Sequence, residues 1–478
     1  MSLLDWIEVV AASSISVAAS WHALLYKRDP RAAMGWITIC LVLPIGGALL
    51  YYLFGINRVR TLAKELRRGS AFRIEIPYER SQNSHPHSAS SQSIPGEFAE
   101  LARISEAVVA EPLLEGNRVE VLHNGEGAYP RMLEAIEAAE RHVYLATYIF
   151  ETNATGRRFI EALERAKKRG VDVRVMVDGI GGLYSRPGAV RLLKKRGVPA
   201  ARFLPPRLLP PEVHINLRNH RKILAVDGSS AFTGGMNIGD RHLADNLSNP
   251  DRIIDVHFRL NGPVVSRIER IFLEDWRFVT GKDSGARPPR PVALEGNAIC
   301  QVISDGPNED LDKLVAVLAA AAAAARRSIA IVTPYFLPPS QLVAALQAAA
   351  LRGVEVTVIL PGRNNLPYVH WATRNMLWEL LQRDVRVFYQ PPPFAHTKLF
   401  LVDDHYAHIG SANLDSRSLR LNFEMTVEIY EKSFVQDLAA YVESLRQSSQ
   451  EVSLEELDGR PLLVRTRDAL AWLCSPYL

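Results

Sequence analysis

The sequence has little cysteine and almost no excess of charge of either sign. Only three cysteines, Cys40, Cys300 and Cys474, occur in 478 residues, too few and too scattered for a disulfide framework or a structural zinc site. The formal net charge is +4 and the basic residues are spread along the chain, which gives no support to a nucleic-acid partner. With 47% hydrophobic residues, disorder throughout is excluded, and the length suits two or three folded domains.

Long apolar runs are present at the amino terminus and predict a transmembrane helical hairpin in residues 1–60. The second run, residues 32–56, has no charged residue and exceeds the roughly 20 residues that cross a bilayer. The first, residues 3–26, is the weaker candidate because it contains Asp5 and Glu8. A cleaved signal peptide fits poorly, because no basic segment precedes the first run. A buried pair of helices is the alternative, and the hairpin is favoured.

Basic residues around these runs predict the orientation of the hairpin. The connection between the runs carries fewer basic residues than the flank that follows the second run, which includes Arg58, Arg60, Lys64, Arg67 and Arg68. The side of the membrane with more Lys and Arg is the cytoplasmic side. We therefore expect a two-pass protein of the cell membrane with its main body in the cytoplasm.

The remaining sequence is a duplicated α/β pattern behind a tether. Residues 61–100 are a basic juxtamembrane segment and a serine-rich linker. Residues 101–290 and 291–478 then repeat the order helix, apolar strand, helix, apolar strand, and match even at RGVDV and RGVEV. Continuous apolar strands are typical of a sheet that helices cover on both faces. The fold class is therefore α/β with two similar halves.

Each half contains a histidine, a lysine and an aspartate at the same offsets. HRKILAVDG has His220, Lys222 and Asp227, and HTKLFLVDD has His396, Lys398 and Asp403. If each segment is a strand, its histidine and lysine point to the same face. A single His-x-Lys is usually surface decoration, but two copies in a duplicated frame favour one shared active site.

The residue types suit displacement at a phosphodiester without a metal or cofactor. A neutral histidine attacks phosphorus while a protonated one gives its proton to the leaving oxygen, and the lysines stabilise the developing charge. Each motif precedes a segment of small residues and an asparagine, and we expect Asn237, Asn413 and Ser411 to bind the phosphate.

Four acidic residues complete the predicted site. Asp255 lies 35 residues after His220 and Glu424 lies 28 residues after His396, so both occupy corresponding places and are predicted to orient the histidines. Asp227 and Asp403 belong to the two motifs and count with the catalytic residues. Because they end the motif strands, they are expected to brace the turn more than to touch substrate.

The two motifs resemble those of the phospholipase D superfamily, and RNHRKILAVDGSSAFTGGMNIGD and GSANLDSRSLRLNFE are similar to bacterial cardiolipin synthases in particular. The resemblance implies two phospholipase D-like halves and transfer of a phosphatidyl group from one phosphatidylglycerol to another through a phosphatidyl-histidine, with His220 as the expected nucleophile. Ile253, Ile254 and Ala395 depart from the family pattern where a head group could be read.

Several alternatives share these motifs. A hydrolytic phospholipase D would use water as the acceptor, a nuclease would require a basic surface, and a non-catalytic scaffold would not need both motifs intact. The expected partners are phosphatidylglycerol and the bilayer. Neither the donor, phosphatidylglycerol or phosphatidylethanolamine, nor the oligomeric state follows from the sequence.

Overall fold

The computed structural model describes residues 3–27, 30–55, 88–89, 94–206, 217–281, 293–306 and 312–475. The chain forms two compact units, Met1–Glu75 and Ile76–Leu478. Most of the predicted linker, and all the basic residues after the second apolar run, lie outside the described residues.

The amino-terminal unit consists of helices that differ from the expected hairpin. Helix α1 spans Leu3–Tyr26, whereas the second run forms α2 (Pro30–Val42), α3 (Pro44–Leu50) and a π-helical turn (Tyr51–Gly55). The expectation of one unbroken helix over residues 32–56 is therefore wrong. Pro44 has no N–H to donate to the preceding turn, so it ends α2 and begins α3.

The first helix of this unit, and not the second, has the properties of a membrane span. Within the described residues, Asp5–Tyr26 is the one helix long and apolar enough to cross a bilayer, with a mean hydropathy of 1.4. Its packing uses two polar contacts: Ser16 donates to the carbonyl of Cys40 at 2.5 Å, and His22 Nδ1 lies 2.8 Å from the hydroxyl of Tyr51.

The second unit is built on one sheet of 15 strands with the order β19-β13-β12-β10-β15-β16-β18-β9-β1-β8-β6-β5-β2-β3-β4. Reading outward from the β9–β1 seam, seven strands of each half follow in corresponding positions. In chain order the strands of this unit, which include four short ones outside that sheet (β7, β11, β14 and β17), are Leu114–His123 (β1), His142–Thr147 (β2), Asp172–Asp178 (β3), Ala200–Phe203 (β4), Ile223–Val226 (β5), Ser230–Gly234 (β6), Ile253–Ile254 (β7), Val256–Asn261 (β8), Ala298–Asp305 (β9), Ser328–Val332 (β10), Phe336–Leu337 (β11), Glu355–Pro361 (β12), Arg386–Gln390 (β13), Phe394–Ala395 (β14), Leu399–Val402 (β15), Tyr406–Gly410 (β16), Leu414–Asp415 (β17), Glu424–Tyr430 (β18) and Gln450–Val452 (β19).

Helices pack on the sheet of this unit. Their bounds are Ala99–Val109 (α4), Asn124–Ala138 (α5), Ala154–Lys168 (α6), Ala189–Lys195 (α7), Val264–Thr280 (α8), Lys313–Ala324 (α9), Ser340–Leu351 (α10), Pro367–Met376 (α11), Trp378–Leu381 (α12), Lys432–Gln447 (α13), Leu454–Asp458 (α14) and Leu462–Leu473 (α15). The alanine-rich helix α9 buries Leu314, Val317 and Leu318 against the sheet of the second half.

One hydrophobic core runs through both halves. It joins α8 of the first half to α13 of the second, and Phe258 meets Phe434 with ring centroids 6.1 Å apart. At the seam, β1 pairs antiparallel with β9. Because the halves share a sheet and a core, they form a single unit rather than two hinged domains, and the loops that follow their strands meet near the seam.

Candidate active site

Each motif histidine lies just before a sheet strand, not within it. His220 and Lys222 precede β5, which begins at Ile223, and His396 and Lys398 precede β15, which begins at Leu399. In both copies the lysine Nζ donates to the carbonyl of the histidine two residues earlier, at 2.6 Å. This contact fixes the lysine beside its histidine, as the shared spacing predicts, although the segment is extended chain outside the ladder.

Backbone hydrogen bonds between the halves hold these segments. The N–H of His220 donates to the carbonyl of Phe423 at 2.9 Å, and the N–H of His396 donates to that of Ile254 at 2.8 Å. In each case the acceptor precedes a predicted orienting acid, Glu424 or Asp255. The histidine of one half is therefore attached directly beside the acid of the other half.

The histidine and carboxylate pairs cross between the halves. His220 Nδ1 lies 3.0 Å from Glu424 Oε1, and His396 Nδ1 lies 3.0 Å from Asp255 Oδ2. The sequence offsets identify both acids without indicating which histidine each contacts, and in the structure each acid contacts the histidine of the other half. With Nδ1 held by a carboxylate, Nε2 of each histidine is the nitrogen available for chemistry, and Nε2 of His396 also lies 3.2 Å from Lys398 Nζ.

The two carboxylates have different support. Glu424 accepts hydrogen bonds from the hydroxyl of Ser411 at 2.5 Å and from the amide of Asn422 at 3.4 Å. Asp255 accepts from the N–H of Val256 at 2.8 Å. Gly235 occupies the place that corresponds to Ser411, and a Cβ there would stand 2.4 Å from Asp255 Oδ1, so only glycine leaves room for this carboxylate.

Ser411, which the sequence predicts to bind phosphate, contacts one of the orienting carboxylates in the structure. Its hydroxyl proton is donated to Glu424, and its oxygen accepts the N–H of Met425 at 3.0 Å. With both functions used, Ser411 supports the orienting carboxylate and offers no donor to a phosphate. Phosphate binding by Ser411 therefore stays a prediction that would require its hydroxyl to leave Glu424.

The two asparagines end the segments that follow β6 and β16, and both are buried. Asn237 accepts the N–H of Ile149 at 3.0 Å through Oδ1, and Asn413 donates from Nδ2 to the hydroxyl of Ser418 at 3.2 Å. Asn237 therefore contacts the end of β2, where the first-half site opens, and its amide nitrogen is the group that could face a phosphate.

The motif aspartates brace the sheet and do not reach the site. Asp227 accepts the N–H groups of Glu140, Arg141 and His142, each at 2.8 Å. Asp403 in the same way accepts three consecutive N–H groups from residues 326–328, at 3.1, 2.7 and 2.9 Å. Both have positive φ angles, 54° and 52°. Each holds a turn to the start of a neighbouring strand, which agrees with the expected bracing role, and direct participation in catalysis stays a prediction.

Burial disfavours every charged group of the site before substrate arrives. Burial and the ammonium groups of Lys222 and Lys398 hold the pKa values of His220 and His396 well below the usual value. Burial also lowers the pKa of Lys222 to about 7 and that of Lys398 to about 8, and raises that of Glu424 to about 7. A bound phosphodiester, which is an anion, favours the protonated lysines and one protonated histidine.

Within the described residues, the side-chain atoms close enough together to hold one metal ion lie away from the motif histidines. Among the described residues one cluster has a suitable set of atoms, Glu97, Asp404 and His405, and it includes none of the motif histidines. Its carboxylates already pair with cations: Arg327 contacts Asp404 at 2.5 Å and Arg326 contacts Glu97 at 3.7 Å. The arrangement supports acid–base and nucleophilic chemistry by side chains.

Comparison with known proteins agrees with this geometry. The family model described as "Cardiolipin synthase, PLD-like domain" matches residues 132–276 and 318–446. A second model, "Phospholipase D-nuclease N-terminal", matches residues 14–55. The chain belongs to the cardiolipin synthases of the phospholipase D superfamily. The prediction of a duplicated phospholipase D-like α/β fold is thus confirmed.

Curated relatives match nearly the whole of this synthase. The major cardiolipin synthase of Bacillus subtilis is 30% identical over 95% of each chain, and a cardiolipin synthase of Geobacillus kaustophilus is 31% identical over 95% of this chain and 90% of its own. The crystal structure of a phosphatidylserine synthase from Haemophilus influenzae covers 79% of this chain and all of its own with a TM-score of 0.60 and 15% identity, which shows a common fold.

Two tyrosines that the sequence reasoning missed line the synthase site. The ring of Tyr148 lies edge-on to His220 with centroids 5.4 Å apart, and Tyr335 lies edge-on to His396 at 6.4 Å. Lys222 Nζ also lies 5.9 Å from the Tyr148 ring centroid. Both tyrosines follow corresponding strands, in LATY and IVTPY, so their equivalent positions in the two repeats were the sequence feature that indicated a shared role.

Arg221 is a second residue that the sequence reasoning missed. It alternates with His220 and Lys222 and points away from them into the seam, where Nε donates to the carbonyl of Glu424 at 3.0 Å and Nη1 pairs with Asp275 at 2.6 Å. The guanidinium thus ties the first-half motif to the backbone of the second-half acid. Arg218, two residues before His220, pairs with buried Asp178 at 3.3 Å.

The departures from the family pattern are neighbours in space. Ile253–Ile254 forms a parallel pair with Phe394–Ala395, in which Ile254 lies opposite Ala395. This small ladder carries Asp255 and His396 at its ends. The unusual residues therefore occur together, beside one histidine and carboxylate pair.

Proposed function

We propose that this cardiolipin synthase transfers a phosphatidyl group from one phosphatidylglycerol to the hydroxyl of a second, giving cardiolipin and glycerol. The observation that carries the proposal is the crossed pair of histidine and carboxylate contacts, His220 with Glu424 and His396 with Asp255. It supplies two imidazoles of fixed orientation in one buried site, one for each role in the reaction.

In the first step, Nε2 of His220 attacks the phosphorus of the donor lipid. The P–N bond forms as the P–O bond to glycerol breaks, and protonated His396 gives its Nε2 proton to the departing glycerol oxygen. Lys222, Lys398 and the amide groups of Asn237 and Asn413 surround the non-bridging oxygens and stabilise their charge.

In the second step, the hydroxyl of another phosphatidylglycerol enters where glycerol left. Neutral His396 takes the hydroxyl proton as the oxygen attacks phosphorus, the P–N bond breaks, and His220 is released. The site then holds its starting protonation state, so no net proton is taken up and no metal ion is needed in either step.

The assignment of His220 as nucleophile rests on the support of its carboxylate. A histidine phosphorylated on Nε2 keeps its Nδ1 proton and carries positive charge, so it needs a well-held carboxylate. Glu424 has hydrogen bonds from Ser411 and Asn422. Asp255 accepts a hydrogen bond from the N–H of Val256, and Gly235, which corresponds to Ser411, has no side chain that could donate another.

We also infer that the amino-terminal unit anchors the synthase in the bacterial inner membrane in two passes, with the body in the cytoplasm. Helix α1 has the length and hydropathy of a span, and α2 with α3 provides an apolar return of 20 helical residues interrupted at Leu43. Both motifs lie in one chain, so a second copy is not required to complete the site.

The test is to supply purified full-length protein with phosphatidylglycerol alone and to identify the products. We expect cardiolipin and glycerol. Phosphatidic acid without cardiolipin would assign a hydrolase that uses water, and no lipid turnover would contradict both. His220→Ala and His396→Ala should each abolish transfer, whereas His405→Ala, a half-buried histidine that contacts Asp404, should retain it.

A further inference from the structure

The last described helix has an apolar face that the other described residues of the body do not cover. In helix α15, Leu462 is 78% exposed, Leu463 84%, Leu470 60% and Leu473 66%. At 100° per residue these positions fall within about one third of the helix circumference. Single exposed leucines are ordinary on a protein surface, but four on one face of a helix are not.

The opposite face holds the helix firmly to the body. Asp468 is fully buried and accepts hydrogen bonds from Arg374 at 2.8 and 2.9 Å and from Arg460 at 2.5 Å. Ala471 packs against the core of the second half. The leucines are therefore presented outward by a fixed helix, and rotation to bury them would remove a buried carboxylate from its cations.

Basic residues border the apolar face. Arg465 and Arg467 lie on its two sides in the helix, and the Arg467 guanidinium stands 4.4 Å from the centroid of the Trp371 ring. Three arginines share the one charge of Asp468, which leaves positive charge near the leucines. An apolar face with a basic border is typical of a helix that lies in the interface of an anionic bilayer.

We propose that the Leu462, Leu463, Leu470 and Leu473 face of α15 inserts into the surface of the anionic bilayer that contains the substrate. This proposal rests on the proposed function only in naming a bilayer that contains the lipid substrate as the partner of this face. A second copy of this chain fits less well, because the helix presents a strip about 18 Å long and 10 Å wide, far smaller than the roughly 800 Å² per partner of a stable dimer.

The face adds a contact separate from the amino-terminal unit and from the catalytic residues. Apolar side chains in the acyl region and arginines at the phosphate level would hold the catalytic body at the lipid surface. Removing the leucines should therefore weaken productive binding to a membrane without changing the chemical step.

A fluorescent label on a single cysteine tests the contact in full-length protein reconstituted into phosphatidylglycerol-containing vesicles. The background is Cys474→Ser, which removes the exposed native thiol, and the label is placed at Leu463→Cys. The matched control is Leu351→Cys, an exposed leucine at the end of α10. We expect an environment-sensitive label at position 463 to shift to the blue and to be quenched by brominated acyl chains, and the control label to do neither.

Equal quenching at both positions, or none at position 463, would overturn the proposal. Efficient 463-to-463 cross-linking without quenching would assign the face to a second copy. Quenching needs no turnover, so a failed lipid contact and a failed transferase assignment are distinguishable. The combined variant Leu462→Ser, Leu463→Ser and Leu470→Ser should raise KM for vesicle lipid on the order of tenfold, with kcat and activity on detergent-dispersed lipid unchanged. Loss of activity on both vesicle lipid and detergent-dispersed lipid would argue against the proposed membrane contact.

Discussion

Replacing one orienting carboxylate should disable one catalytic role only, and the structure determines which. Glu424 contacts His220, so Glu424→Gln should impair formation of the phosphatidyl-histidine. Asp255 contacts His396, so Asp255→Asn should impair proton transfer to the leaving group. An assignment by position in the sequence makes the opposite prediction, since Asp255 follows His220 and Glu424 follows His396.

The size of each effect follows from the contact that is lost. Asp255 and Glu424 are fully buried, and an amide in either place favours the wrong tautomer of the histidine and cannot offset an imidazolium charge. We expect Glu424→Gln to lower kcat by about 10³–10⁴-fold. Loss of general acid catalysis through Asp255→Asn should lower it by about 10²–10⁴-fold.

A donor with a good leaving group separates the two roles. Phosphatidyl-p-nitrophenol releases p-nitrophenolate without protonation, so His396→Ala and Asp255→Asn should both regain release of p-nitrophenolate. His220→Ala and Glu424→Gln should not, because the nucleophile is affected. If Glu424→Gln and His396→Ala were the variants that regained activity, the crossed assignment would be refuted. If His220→Ala and Glu424→Gln regained it instead, His396 would be the nucleophile and His220 the general acid.

Two further predictions concern the lysines and the motif aspartates. In the free enzyme the pKa of Lys222 is lowered to about 7 and that of Lys398 to about 8, so each loses its charge as pH rises, whereas Glu424, with its pKa raised to about 7, gains the charge it needs to orient His220. We therefore expect kcat/KM for phosphatidylglycerol to rise up to about pH 7 and to fall as the lysines lose their charge, while kcat, which reports the phosphate-bound state, falls at higher pH. Lys222→Arg should move the fall in kcat/KM upward, and a flat profile to pH 9 would contradict the argument. Asp403→Ala removes three backbone hydrogen bonds and should lower the free energy of unfolding by about 3 kcal/mol, as measured by denaturant titration in detergent with Asp404→Ala as the neighbouring control. A loss of kcat without a loss of stability would instead indicate that Asp403 takes part in catalysis.

The sequence was sufficient for the repeat, the motif residues and the identity of both acids. Equivalent offsets identify residues at equivalent positions in each half, and the duplicated sheet order agrees with this. Offsets do not indicate which of the two histidines each acid contacts in space. That is decided by the hydrogen bonds of His220 to Phe423 and of His396 to Ile254, which join residues far apart in sequence.

The errors at single residues have local causes. The position of Ser411 beside the motif does not predict its hydrogen bond to Glu424, which depends on a side chain 13 residues later in the sequence. The break in the second apolar run was readable from Pro44, but hydropathy averages over that residue and missed it. Tyr148 and Tyr335 were overlooked because aromatic residues at strand ends are usually part of a core.

The differences between the two halves matter more for the mechanism than their similarity. Two identical histidine and carboxylate pairs facing one phosphorus would be equally able to attack and to protonate, so neither histidine would be committed to one role. Here one pair has a glutamate held by Ser411 and Asn422, and the other has a shorter aspartate against Gly235. Because both halves belong to one chain, each pair has its own sequence, and the site can favour the imidazolium at one histidine over the other. A Ser411→Gly change, which makes the halves more alike, should therefore reduce the commitment of His220 to attack while leaving both histidines in place.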